Sequence, residues 1–98
     1  MWIRLGSFAV APGKVGELRA TYNRECVPVV RAAAGNVDCY LMESVDDAER
    51  CVVCTIWESE AAAAAYDASG AAQAMVGKVR AFFAGPPTLA SYRVERPG

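Results

Sequence analysis

Trp57 closes an apolar run, CVVCTIW, and Tyr66 follows nine residues later inside the alanine-rich stretch SEAAAAAYDASGAAQAM. An indole at such a place can wall a pocket on which a planar ligand stacks, and a phenol can donate a hydrogen bond to a ligand oxygen. Both are equally ordinary as core aromatics, and the residue types alone leave that choice open. Tyr22 carries the same choice on the apolar face of an earlier periodic stretch. Arg4, in WIRLGSFAV, has the ordinary reading of a strand-end arginine that reaches into solvent. The chain contains no histidine. That removes the side chain whose unperturbed pKa lies nearest neutrality and the commonest metal ligand. Any proton transfer falls to Tyr, Asp, Glu, Lys or Cys. Cys51 and Cys54 have the spacing of a redox pair or of half a zinc site. They lie in a strand pattern, where residues three apart point to opposite faces, and no second pair completes a zinc site. With Cys26 and Cys39 they are expected to be buried free thiols, and no metal is expected. Glycine-rich phosphate loops and nucleophile elbows are missing.

The elements that must position these side chains follow from the periodicity. Trp2 to Val10 has strand composition, and the turn APGK leads into a helix. Val15, Leu18, Tyr22, Cys26, Val29 or Val30 and Ala33 recur at helical steps as far as Gly35-Asn36, with Pro28 expected to kink the helix. Val37 to Ser44 and Cys51 to Trp57 read as a hairpin, and Ser59 as the N-cap of a second helix that breaks at Gly70 and resumes to Phe83. Leu89 to Val94 supplies a fourth strand. The order β-α-β-β-α-β is that of an α+β, ferredoxin-like fold with an antiparallel sheet, in one domain spanning residues 1–98.

A chain of 98 residues buries a thin core, and a hydrophobic fraction of 54% leaves apolar surface for self-association, so a homodimer is expected. The net charge of −1, with both signs interspersed, supplies no field for nucleic acid. No apolar run is long enough to span a bilayer, and the N-terminus lacks the features of a signal peptide, so no membrane partner and a cytoplasmic location are expected.

In their order and spacing, FAVAPGKVGEL (Phe8 to Leu18), Asp46-Asp47, TIWESEAAAAAYDAS (Thr55 to Ser69) and FFAGPPTLASYRV (Phe82 to Val94) make the chain resemble the antibiotic biosynthesis monooxygenase domain of the dimeric α/β-barrel superfamily. The resemblance implies two protomers packed sheet to sheet in a barrel, each with a pocket between its own sheet and helices. It also implies oxygenation of a small aromatic, polyketide or quinol-type substrate by dioxygen with no cofactor. Trp57 falls on the family's tryptophan. The haem-degrading branch has an asparagine where this chain has Gly6 and a histidine near Gln73, which argues against haem degradation here. Polyketide oxygenases have an asparagine where this chain has Val53. The site implied is Trp57 as stacking wall and Tyr66 as hydrogen-bond donor, in a pocket of Arg4, Gly6, Phe8, Tyr22, Val53, Thr55 and Gln73. Two other uses of such a pocket remain open: a cyclase or isomerase acting on a polyketide-like molecule, and a binding or stress-response dimer without catalysis.

Overall fold

Four strands and four α-helices, the first two helices joined by a π-helical turn, make up the computed structural model, which describes residues 1–95. In chain order they are β1 (Trp2–Ala9), α1 (Val15–Thr21), a π-helical turn (Tyr22–Cys26), α2 (Val27–Arg31), β2 (Asn36–Glu43), β3 (Arg50–Trp57), α3 (Glu60–Ala68), α4 (Ala71–Val79) and β4 (Thr88–Arg93). The strands form one antiparallel sheet in the order β2-β3-β1-β4, the ferredoxin-like arrangement expected from the sequence. Strand limits move by one residue at most ends, the usual fraying of pattern-based boundaries.

The register decides which side chains face the helices. Arg4 pairs with Thr55, Gly6 with Val53 and Phe8 with Cys51, so these share one face. Phe8, Val10 and Cys51 on that face pack with Leu18, Tyr22, Cys26 and Val79 from the helical layer. A second buried cluster joins Cys39 and Trp57 to Val30 and Ala63. Cys51 and Cys54 fall on opposite faces, as strand alternation requires, and all four cysteines are free. The other face of the sheet carries Ile3, Leu5, Val52 and Ile56, with Tyr40, Met42 and Tyr92 exposed.

The first helix is continuous through Pro28, where the sequence leads one to expect a kink. Leu18, Tyr22, Cys26 and Val30, four residues apart, are all buried. In a regular α-helix each step of four drifts by about 40°, so four such residues would wander off one face. The wider π turn at Tyr22–Cys26 absorbs that drift. Val27 donates its amide to the Tyr22 carbonyl, and Pro28, which has no amide hydrogen, falls in the first turn of α2 where it is tolerated.

Ser59 caps α3 as expected, accepting the Ala62 amide at 3.1 Å. Gly70, at φ +83, turns the chain between α3 and α4. Gly35 brings the chain against α3: it sits at φ +78, and a Cβ there would lie 2.5 Å from the Ala62 Cβ. Alanine at position 62 thus lets helix and chain approach closely.

Candidate functional site

A cavity of about 410 Å³ lies between the helix-facing side of the sheet and the helical layer. Its size suits a small ligand, and its walls are mostly apolar with a few polar groups, the usual composition of a small-molecule site. Gly6 opens its floor: a Cβ at that position would touch the Leu89 Cδ2 at 3.5 Å, an ordinary contact, and any longer side chain would project further. Around that gap β1 contributes Arg4 and Phe8, β3 contributes Val53 and Thr55, and the helices contribute Tyr22, Tyr66 and Gln73. Eight of the nine residues expected from the sequence therefore meet in one cavity.

Trp57 is the exception, and its expected place as a stacking wall needs correction. Its side chain is fully buried and is not part of the cavity lining. Tyr66 comes between: the two rings stack at 5.0 Å with an interplanar angle of 37°. The indole Nε1 donates to the Thr55 Oγ1 at 3.0 Å. Trp57 thus backs Tyr66 and fixes Thr55, and Tyr66 presents the aromatic surface to the cavity. Strand alternation correctly puts Trp57 on the cavity's side of the sheet. Which ring reaches the cavity depends on how α3 crosses, and no local pattern encodes that.

Two tyrosine hydroxyls, those of Tyr22 and Tyr66, contribute to the chemistry of the cavity. Both are buried; that of Tyr66 has no hydrogen-bond partner among the described residues, and that of Tyr22 has none there beyond the neighbouring Cys39 thiol. A buried polar group left unpaired costs about 1–3 kcal/mol, which makes such groups natural seats for a ligand oxygen or a bound water. Burial, reinforced by the neighbouring Cys39, Cys26 and Tyr66 groups, pushes the Tyr22 phenol far above the ordinary phenol range. Burial raises Tyr66 as well. The Cys26 thiol, which donates to the Met75 carbonyl at 3.7 Å, is pushed up chiefly by burial. All three keep their protons at neutral pH and can act as donors.

The sequence reading did not anticipate Asp67. From α3 it forms an ion pair with Arg4 of β1, and both side chains line the cavity. Their side chains are 28% and 35% exposed, which puts the pair where the cavity meets solvent. The one usable signal was that Asp67 is the sole acidic residue of α3 beyond its first turn. Among the described residues no three His, Cys, Asp or Glu side chains are grouped to hold a metal ion. No helix among those residues is long and apolar enough to cross a membrane.

The sequence profile of the antibiotic biosynthesis monooxygenase family matches residues 1–78. The fold is similar to that of a candidate antibiotic biosynthesis monooxygenase from Bordetella bronchiseptica, with a TM-score of 0.83 at 21% identity over 97% of either chain. It is similar to SnoaB, a cofactor-independent oxygenase from Streptomyces nogalater solved as a single-substitution mutant, with a TM-score of 0.80 at 14% identity over 98% of this chain and 94% of that one. A candidate monooxygenase from Nitrosomonas europaea matches with a TM-score of 0.79 at 19% identity, over 96% of this chain and 98% of its own. No protein of curated function matches the sequence.

Proposed function

The chain belongs to the antibiotic biosynthesis monooxygenase family, and from that premise we propose that it is a cofactor-independent monooxygenase. Its substrate is a small aromatic, polyketide or quinol-type molecule that reacts with dioxygen in the cavity between sheet and helices. The observation that carries this reading is the cavity itself: about 410 Å³, walled mostly by apolar side chains, with the buried phenol hydroxyls of Tyr22 and Tyr66 and the cations Arg4 and Arg80 among its lining. An electron-rich phenol or anthrone, once deprotonated, reduces dioxygen directly. The protein then has to orient the ring and stabilise the negative charge that develops. Tyr66 supplies an aromatic face and a hydroxyl donor, Arg4 supplies the charge, and Gly6 leaves room for the ring system. Trp57 acts as a positioning residue through Tyr66 and Thr55.

The working unit in this proposal is a cytoplasmic homodimer formed through the sheet face that the helices leave open. In support, Tyr40, Met42 and Tyr92 are about half exposed there beside Ile3, Leu5, Val52 and Ile56. A non-redox cyclase or isomerase is the second reading, favoured by the Arg4–Asp67 pair, since enolisation needs only an acceptor and a charge.

Oxygen uptake by purified, chelator-treated protein, measured against anthrones, hydroquinones and electron-rich phenols, tests the first reading. Uptake that survives the chelator and drops in Tyr66→Phe is the expected result. Conversion of the ligand without oxygen uptake would overturn it in favour of the second, and tight binding without any turnover would overturn both.

A further inference from the structure

Deprotonating a phenol or a carbon acid requires an acceptor with a free lone pair at neutral pH. The titratable side chains on the cavity are Arg4, Tyr22, Cys26, Tyr66, Asp67 and Arg80. A guanidinium has only donors. The buried phenols and the thiol hold their own protons. Asp67 remains, and it is held in place: Arg4 Nη1 donates to its Oδ2, while Oδ1 receives no hydrogen bond among the described residues.

We propose that Asp67 is the proton acceptor of this cavity, with Arg4 placed to take up the oxyanion that the transfer creates. The inference rests on the cavity being where the substrate is activated. The substrate class is a phenol, or a carbon acid whose acidic hydrogen lies beside a carbonyl. In the step, the substrate O–H or C–H bond breaks and the proton bonds to Oδ1 of Asp67. The electron pair stays on the substrate as a phenolate or enolate whose oxygen faces the Arg4 guanidinium. One negative charge lies beside Arg4 before and after, passing from Asp67 to the substrate. The arginine therefore stabilises the product anion without any net charge being created. No oxidant takes part, and the neutral acid returns its proton to solvent at the mouth, where the Asp67 side chain is 35% exposed.

The test follows loss of deuterium from the acidic methylene carbon of anthrone under nitrogen, with oxygen uptake measured separately in air. The wild-type protein should accelerate label loss over buffer. Asp67→Asn keeps an oxygen for Arg4 but loses the basic site, and should be slower by about 100-fold or more. Quenching of tryptophan fluorescence by anthrone should persist, showing that binding survives. In Asp67→Ala, added acetate should restore part of the rate, a response that a merely structural carboxylate would not give. Wild-type rates of label loss in Asp67→Asn, or no acceleration by the wild type, would overturn the proposal. Label loss without oxygen uptake removes the oxygenase reading and leaves Asp67 in its role. Oxygen uptake without label loss does the reverse.

Discussion

Replacing Trp57 by phenylalanine separates a tryptophan that walls the cavity from one that backs it. The indole is fully buried, donates to Thr55 Oγ1 at 3.0 Å and stacks on Tyr66 at 5.0 Å. Phenylalanine keeps most of the stacking and deletes the donor and part of the ring. The lost hydrogen bond costs about 1 kcal/mol. The vacated space, on the order of 40 Å³, costs roughly 1 kcal/mol more at the usual penalty for residual cavity volume. A loss of about 2 kcal/mol lowers the Tm of a domain this size by roughly 8–16 °C, readable by circular dichroism. Anthrone affinity should change less than about threefold, a difference of some 0.6 kcal/mol, because Tyr66 is the ring that meets the cavity. A Tm within about 2 °C of wild type, together with binding weakened tenfold or more, would refute this reasoning and return Trp57 to the cavity wall.

Gly35→Ala should be the most damaging glycine substitution. It combines the left-handed φ of +78 with a Cβ contact of 2.5 Å to Ala62, for a loss of about 3 kcal/mol by thermal unfolding. Adding Ala62→Gly should relieve the contact but leave the backbone strain. Gly6→Ala should leave Tm nearly unchanged, since its Cβ meets Leu89 at an ordinary 3.5 Å, whereas Gly6→Phe should abolish ligand binding while the far-ultraviolet spectrum stays native. Glu43 accepts from Arg19 Nε at 2.7 Å and Nη2 at 2.6 Å. That hydrogen-bonded pair holds its carboxyl below the usual value of 4.5. Its contribution to stability is therefore complete above pH 4.5 and is lost as pH falls through the lower folded-state value. Glu43→Gln should flatten the fall in Tm on that acid side, and an unchanged slope would show the pair to be irrelevant there.

Local patterns made much of this molecule legible. Alternation and helical spacing are properties of a few neighbouring residues, so they located four strands, the hairpin, the Ser59 cap and the break at Gly70. The same alternation put Arg4 with Gly6 on one side of the first strand and Val53 with Thr55 on one side of the third, the family resemblance marked the pocket side, and the strand register joins both sets in the cavity. The π turn escaped because a step of four apolar residues looks the same in sequence whether or not the helix is widened to hold it.

Composition and order settled what chemistry this chain lacks and which fold it adopts: the absent histidine, the β-α-β-β-α-β pattern and the motifs of its family all lie within reach of the linear chain. Tertiary structure alone decided which polar groups meet. Arg4 and Asp67 are 63 residues apart and pair only because α3 folds back over the sheet. The same packing brings Tyr66 in front of Trp57 and hides the indole. Those outcomes depend on the angle and depth at which a helix packs on a sheet. Many distant side chains set that angle together, so no spacing of neighbours along the chain could have carried it.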